Sequence, residues 1–590
     1  MDPRNKIIKS LQKASGIKDP HLEFSARSEF GDYTTNIALS SKNPRAKAED
    51  ILFKLNKDKN LKEIVEKIDI AGPGFINFHL STKAMLTNLS QVLDQKENYG
   101  RSTVKKGKKV IVEYSSPNIA KPFTIGHMRS TIIGDAIANL MEATGFKVYR
   151  DNHLGDWGTQ FGKQIYAIKT WGNEKDIEKS ENPVKELVAL YIKFHEEADK
   201  DPKIEEEGRK WFKKLEDGDK EARDLWQKCI DWSWKEFNSI YQKLGIKFTE
   251  NDGKGYGESY FEGKMQVVLK ELEKNKLLKV GENRAKLIFF EKDKYPPLMI
   301  LKGDGATLYA TRDLATDKWR QEKYSPDLII NEVGIEQSLY FKQLFEVEKL
   351  LGWYKEGQRI HIGHGHFRFK EGKMSTRKGN VIWLEDVLSE ARNRATELQK
   401  IDFTKSLKEL KENSGNSVVN LKPDSAGKIV KERVAVFDTI DQVAFGALKY
   451  NDLKRDYKQD ILFDWDEVLN MQGNSGPYLQ YTFARIQSLL AKSTKLNPNL
   501  NTEKLNQEEL LVLRDLIKFP EVIQHSAINY SPNILCEYLF NLAQKYNTLY
   551  NKVRIIGSNN EEFLLSLSFA TGQVLKNGLT LLGIATPEKM

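Results

Sequence analysis

The chain has 590 residues, 39% hydrophobic and 30% charged, which suggests roughly four globular domains and excludes a disordered or fibrous chain. Its two cysteines, Cys229 and Cys536, exclude a disulfide scaffold and any cysteine-rich zinc or iron–sulfur site, and no uncharged apolar run reaches the ~18 residues of a bilayer span. With 92 Lys and Arg against 83 Asp and Glu, the net charge is +9, which fits a polyanionic partner.

In chain order, the opening MDPRNKIIKSLQKASG has no apolar core. It reads as neither a signal nor a transit peptide, so the expected setting is cytoplasmic, with no membrane. Residues 1–95 predict a small α+β domain, with helices at about 4–15 and 46–68 and a half-buried strand at 75–80 after the turn AGPG. His79 in that strand reads as ordinary packing. The Lys-rich segment 95–109 reads as a linker. Val110-Ile111-Val112 predicts a strand and a polar loop follows. From Met128 the apolar residues fall at helical spacing until Gly145, and Lys147–Arg150 starts another strand. Strand, loop, helix and strand make a βαβ unit on a parallel sheet. Residues 173–250 read as a charged helical insertion with Trp211, Trp226, Trp232 and Trp234 as a small core. The sheet pattern resumes at 285–290, 328–330 and 359–362. A helix is expected near 385–400, and residues 433–590 read as helices with short connections.

Two segments carry chemistry. Pro117–His127 lies after a strand and opens a helix, where doubly wound sheets bind ligands. Gly126 lets a nucleotide approach the backbone, and His127 sits where exposed N–H groups favour phosphate. A capping turn with a satisfied histidine is the alternative. Gly372–Asn380 holds Lys373, Ser375, Thr376, Arg377 and Lys378 between glycines. That suits a loop closing on a triphosphate, although a solvated basic loop has the same composition. No Walker pattern GxxxxGK[ST] occurs.

Together these segments resemble the HIGH and KMSKS signatures of class I aminoacyl-tRNA synthetases. The resemblance narrows to the arginyl-tRNA synthetase family through residues 112–140, NHLGDWGTQFG (152–162), LYATRDLA (308–315) and GKMSTRKGN (372–380). The flanks GDYTTNIAL (31–39), IAGPGFINF (70–78), GALKYNDL (446–453), GNSGPYLQYTFARI (473–486) and NGLTLLGIATPEKM (577–590) extend it to both ends. Thr124 replaces the first His of HIGH, and Thr376 stands where the second Lys of KMSKS would be. A literal HIGH string at His361–His364 lacks the PNIAKP lead-in and opens no amphipathic helix, so it is rejected as the nucleotide signature. A metal site at His361, His364 and His366 is not expected, because no Cys, Asp or Glu stands at ligand spacing.

The resemblance implies an α/β protein. A Rossmann-like parallel-sheet catalytic domain (106–395, with a helical insertion at about 173–262) is joined by a stem (396–450) to an all-α anticodon-binding domain (451–590). A small α+β domain (1–95) would touch the tRNA elbow. The implied reaction is ATP-dependent activation of L-arginine to arginyl-adenylate, then transfer to the terminal adenosine of tRNA(Arg). ATP would enter with Mg2+, no metal would be held by protein residues, and the chain would act as a monomer. His127, Lys373, Ser375 and Arg377 are the implied catalytic residues. Lys121, Thr124, Gly126, His127, Lys373, Met374 and Ser375 would contact ATP. Asp313 and Tyr309 would grip the guanidinium, Glu113 and Asn118 the α-amino end, with Ser115, His127, His153 and Gln337 assisting. Asp156 and Gln160 would line the same cleft, while Trp157 reads as packing. Tyr478, Tyr481, Arg485 and Met590 would meet tRNA, a core role being the alternative for the first three. The rival classes are a nucleotidyltransferase that binds no RNA, which needs no helical C-terminal domain, and a non-catalytic tRNA-binding paralogue, which would not need His127, Lys373, Ser375 and Asp313.

Overall fold

In the computed structural model, which describes every residue except 1–2, 26, 370–381, 414–425, 494–499 and 501–504, the helix Pro3–Ser15 precedes an antiparallel sheet. Its strands are β1 (Glu23–Phe24), β2 (Tyr33–Thr35), β3 (Val65–Ala71) and β4 (Phe75–Leu80), in the order β1–β2–β4–β3. Of the residues in 75–80, Ile76, Phe78 and Leu80 are buried as the alternation predicts, but Asn77 is buried as well, hydrogen-bonded to Thr34 and Asp69. His79 is half-buried, its Nε2 2.9 Å from Asp69 Oδ2. The helix expected over 46–68 is a correction. It runs Pro44–Leu55, a single turn follows at Lys59–Lys62, and 65–71 is strand. The β-branched Val65, Ile68 and Ile70 suit a strand, and antiparallel pairing with β4 across the AGPG turn holds the segment in one.

This domain shares one compact unit, residues 1–100, 482–522 and 538–577, with helical stretches from the far end of the chain. Arg514 Nε lies 3.0 Å from Asp32 Oδ1, and Arg4 Nε lies 2.8 Å from Glu521 Oε1. Tyr99, inside the expected linker, is buried and donates its hydroxyl to the Leu516 carbonyl at 2.8 Å.

The other unit comprises residues 101–481, 523–537 and 578–590. Its centre is a parallel sheet of β5 (Lys109–Glu113), β6 (Lys147–Asp151), β10 (Leu328–Gly334) and β11 (Arg359–His364), ordered β11–β10–β5–β6. A three-stranded antiparallel sheet of β7 (Leu278–Val280), β8 (Lys286–Ile288) and β9 (Leu298–Leu301) lies between them in sequence. A short parallel pair joins β12 (Phe367–Phe369) to β13 (Ile461–Phe463). Val110, Ile111 and Val112 are all buried, as expected of a strand covered on both faces. Glu113 stands beside Asp151 on one side and Asn331 on the other, so the carboxyl edge of the sheet is a polar row. The chain leaves β5 for β6 on one side and returns as β10 on the other, which makes the β5/β10 boundary a switch point open to a ligand.

The helix Ile125–Ala143 packs close to β5. A Cβ at Gly134 would fall 2.1 Å from the Tyr114 side chain, so only glycine permits that approach. The insertion is helical as expected, its longest helix running Lys220–Leu244 from an Asp219 cap to Gly245. Of the four tryptophans expected in its core only Trp232 is buried; Phe194 clusters with Ala167 and Ala198, and Phe237 stands edge-on to Phe123. The helix near 385–400 is present as Leu384–Asn413. Among the described residues no helix is long and apolar enough to cross a membrane.

Candidate active site

The loop after β5 is bent by three non-glycine residues with left-handed backbone: Ser115 (φ 73°), Ser116 (φ 44°) and Ala120 (φ 58°). Such residues cost about 1–3 kcal/mol each and persist only where surrounding contacts fix them. Here each backbone N–H donates to a side-chain oxygen from elsewhere. Ser115 donates to Ser130 Oγ at 3.0 Å, Ser116 to Asn152 Oδ1 at 3.0 Å and Ala120 to Ser233 Oγ at 3.0 Å. Gly155 meets the loop from the other side: Gly155 N–H donates to the Pro117 carbonyl at 3.1 Å, and Ile119 N–H to the Gly155 carbonyl at 3.1 Å. A Cβ on Gly155 would lie 2.3 Å from Asn118 Oδ1.

This loop delivers the chain to Thr124, the N-cap of the helix Ile125–Ala143. The Thr124 backbone N–H donates to His127 Nδ1 at 3.0 Å, with Thr124 Oγ1 also 3.0 Å from that nitrogen. An accepting Nδ1 leaves the proton on Nε2, so neutral His127 is a donor through Nε2. Burial, with the charges of His364 and Lys121, pushes its pKa down to about 4, so the neutral form prevails at physiological pH. A Cβ on Gly126 would meet only Thr124 Oγ1, at 3.5 Å. Among the described residues no atom requires a glycine there, and Gly126 lines the cleft.

That cleft, about 670 Å³, is lined by Glu113, Ser115, Asn118, Thr124, Gly126 and His127, and by His153, Tyr309, Asp313 and Gln337. Ten residues expected from sequence to contact ATP or arginine thus surround one cavity. Lys121 is outside the lining, though near enough to influence His127. Lys373, Met374, Ser375 and Arg377 lie outside the described residues.

At the end of the cleft beside the helix Tyr309–Tyr324, Asp313 accepts a hydrogen bond from the Tyr340 hydroxyl and lies 3.9 Å from His153 Nε2. Burial raises the Asp313 pKa, against the lowering effect of His153 and Tyr340. Tyr309, one turn earlier, is 65% exposed, its ring free to cover an entering side chain. Glu113 has a second engagement, its Oε2 2.5 Å from Arg320 Nη2. The same fully buried guanidinium holds Asp151 at 2.7 Å and Asp317 at 3.2 Å. Burial raises the Glu113 pKa, but the Arg320 charge, the His153 charge and the Arg320 hydrogen bond together outweigh it and lower the pKa.

Some expected residues have their side chains engaged by the protein itself. Ser115 Oγ lies 2.7 Å from Thr131 Oγ1 and 2.8 Å from Tyr241 Oη, so its hydroxyl braces the loop. Asp156 accepts from Ser259 N–H and Oγ, both at 2.7 Å, and Gln160 Nε2 donates to the Trp157 carbonyl at 2.9 Å; neither lines the cleft. Trp157 is packing, edge-on to Trp226 and Phe212. Tyr478, Tyr481 and Arg485 lie on the helix Gly476–Leu490 at i, i+3 and i+7, all half-buried, with Arg485 Nη1 donating to Asn547 Oδ1 at 2.8 Å. Met590 is 37% exposed.

The cleft also includes residues that sequence reasoning missed. Tyr340 follows Gln337 in VGIEQSLYF, but its bond to Asp313 is a tertiary fact. Glu258 had no motif, and burial pushes its pKa up to about 7. His364 belongs to the HIGH string rejected as a signature. That string is strand β11, yet its last residue reaches the cleft with Nδ1 2.8 Å from Glu332 Oε1. Burial opposes its charge, but Glu332 raises the pKa. Among the described residues no group of three or more His, Cys, Asp or Glu is arranged to hold a metal ion.

Three family models match in order. They are "Arginyl tRNA synthetase N terminal domain" over 2–80, "tRNA synthetases class I (R), catalytic domain" over 88–465 and "DALR anticodon binding domain" over 479–590. A relative from Clostridium botulinum named arginine–tRNA ligase is 37% identical over the full length of both chains. One of the same name from Fusobacterium nucleatum is 38% identical, covering 99% of this chain and 98% of that one. Among solved structures, arginyl-tRNA synthetase from Plasmodium falciparum has a TM-score of 0.79 at 26% identity, covering 100% and 98% of the two chains. That from Thermus thermophilus has a TM-score of 0.78 at 22% identity over both whole chains and shows the same fold.

Proposed function

The chain belongs to the arginyl-tRNA synthetase family, with an ATP-dependent arginine–tRNA ligase activity on arginine, ATP and tRNA, and from that premise we propose how its own residues divide the work. The arginine guanidinium lies against Asp313, covered by the Tyr309 ring. A planar cation with a fork of donors is matched by a carboxylate in a half-buried wall. The α-amino group faces Glu113 and Asn118, and Gln337 closes the side. ATP, carrying Mg2+ as part of the substrate, takes the end at Thr124, Gly126 and His127, with Lys121 and the 373–377 segment supplying charge.

The arginine carboxylate oxygen then attacks the α-phosphorus, the bond to the bridging oxygen breaks and pyrophosphate leaves. Charge growing on the phosphate oxygens is met by the neutral Nε2–H of His127, a preorganised donor at a helix N-terminus. In the second step a ribose hydroxyl of the terminal adenosine of tRNA attacks the activated carbonyl and AMP leaves. No protein nucleophile takes part; catalysis is positioning plus charge stabilisation.

The N-terminal domain docks on the tRNA elbow. The carboxyl-terminal helices read the anticodon with Tyr478, Tyr481 and Arg485 among the contacts, and Met590 lies close to tRNA. The enzyme works as a cytoplasmic monomer. Activation depends on bound tRNA, because Thr124 and Thr376 stand where charged signature residues would otherwise assist.

The observation that carries this reading is the single cleft with a carboxylate at one end and a tautomer-fixed imidazole donor at the other. ATP–pyrophosphate exchange with each of the twenty amino acids, in the presence of tRNA, tests it. Arginine alone should support exchange, and exchange with another amino acid but not arginine would overturn the assignment of the pocket.

A further inference from the structure

His153 sits where the guanidinium is expected, and its two ring nitrogens have different surroundings. Nδ1 lies 3.0 Å from the Tyr256 carbonyl oxygen. A carbonyl only accepts, so Nδ1 carries a proton. Nε2 is buried, has no hydrogen-bond partner among the described residues and lies 3.9 Å from Asp313 Oδ1. In a neutral ring with its proton on Nδ1, Nε2 would present a bare lone pair to a carboxylate.

Every element around the ring adds to this imbalance. Glu113 approaches from the end of β5, Asp313 from the helix Tyr309–Tyr324, Glu258 from the short helix Glu258–Lys264 and Asp156 from the loop after β6. The Arg320 charge opposes it, and Arg320 is already shared among Glu113, Asp151 and Asp317. The Phe261 ring packs beside it, the two ring centroids 5.8 Å apart.

We propose that His153 is a resident cation of the arginine pocket, which the guanidinium displaces as a proton when the substrate binds. The inference rests on the reading that Asp313 receives the guanidinium. Two cations against the same carboxylates repel, so the entering one expels the removable charge. The Nε2–H bond breaks, the proton leaves to solvent and the freed lone pair accepts an N–H from the guanidinium. The net change is arginine cation in, one proton out. A side chain of the same shape without charge, such as the urea of citrulline, cannot drive that exchange, so His153 determines specificity for charge. Burial lowers the His153 pKa, but Glu113 and Asp313 more than reverse it and hold it above the ordinary 6.5. Arginine affinity therefore falls as pH drops through that raised value, approaching about tenfold per pH unit.

The test is calorimetric titration of arginine into the full chain at pH 7, in phosphate and in Tris. The apparent enthalpies should differ in proportion to the buffers' ionisation enthalpies, with a slope showing net proton release of at most one proton per arginine. In His153→Asn, arginine should still bind, the slope should fall near zero and affinity should lose its dependence on pH between 6 and 8. Glu258→Gln should leave the slope in place. Equal enthalpies in the two buffers with arginine bound would overturn the proposal while leaving the pocket reading intact. A slope unchanged in His153→Asn, or abolished by Glu258→Gln instead, would also overturn it. Should His153→Asn not fold, a wild-type affinity independent of pH serves as the same refutation. Failure of arginine to bind the wild-type chain would defeat the pocket reading and this inference with it.

Discussion

Asp313 does not act alone. Its carboxylate is aimed by the Tyr340 hydroxyl, and a hydrogen bond to a charged group is worth about 1.5–3 kcal/mol. Tyr340→Phe should therefore raise the Michaelis constant for arginine about tenfold or more with that for ATP little changed. Asp313→Ala, which strands a guanidinium without its partner, should cost about 3–5 kcal/mol. Steady-state kinetics with each substrate varied separates the two; equal effects on arginine and ATP would contradict the assignment. Gly126 gives a complementary test, since among the described residues nothing opposes a side chain there. Gly126→Ala should leave the unfolding temperature unchanged or slightly raised, because alanine favours helix by up to about 1 kcal/mol, while weakening ATP binding. Unchanged ATP affinity, measured by equilibrium binding, would remove Gly126 from the nucleotide site. Much at this scale was legible in the sequence, because short segments fixed by local geometry carry Thr124, Gly126, His127 and Asn118. Tyr340, Glu258 and His364 were not legible, because each reaches the cleft through contacts made across tens or hundreds of residues.

Between elements, the recurring device is a buried charge that ties one strand end to the next. Arg320, on the helix before β10, joins Glu113 of β5, Asp151 of β6 and Asp317 of its own helix. Arg359 of β11 extends the network, its Nη2 2.7 Å from Asp317 and its Nε 3.2 Å from Glu348. Removing one member leaves several buried carboxylates uncompensated. Arg320→Met should destabilise the unit by about 3–5 kcal/mol or more, seen as a thermal unfolding temperature lower by several degrees. An unfolding temperature within a degree of wild type would show that the network contributes no net stability. The βαβ unit and the insertion were legible from periodicity and charge. Strand β3 was not: Glu66, Lys67 and Asp69 obscured the β-branched Val65, Ile68 and Ile70, and the pairing with β4 is a tertiary fact. The tryptophans of the insertion misled for a related reason, since Trp226 turns its ring to Trp157 and donates Nε1–H to the Asp156 carbonyl at 2.7 Å.

Across the whole molecule, residues 1–100 share a compact unit with 482–522 and 538–577, a pairing of opposite chain ends that no local pattern announces. The proposed dependence on tRNA belongs to this scale. Exchange with ATP and arginine alone should be near background and should appear when tRNA bearing an arginine anticodon is added. It should weaken with moderate salt, as docking on a polyanion releases counterions. Full exchange without RNA would remove the dependence and leave the ligase activity standing. The central claim is that one cleft binds the guanidinium at Asp313 and the phosphate at His127. A crystal structure of the full chain with a non-hydrolysable arginyl-adenylate analogue tests it most directly. The account predicts guanidinium nitrogens about 3 Å from the Asp313 carboxylate and His127 Nε2 against the oxygens that replace the phosphate. A guanidinium directed away from Asp313, or an analogue seated outside this cleft, would contradict it.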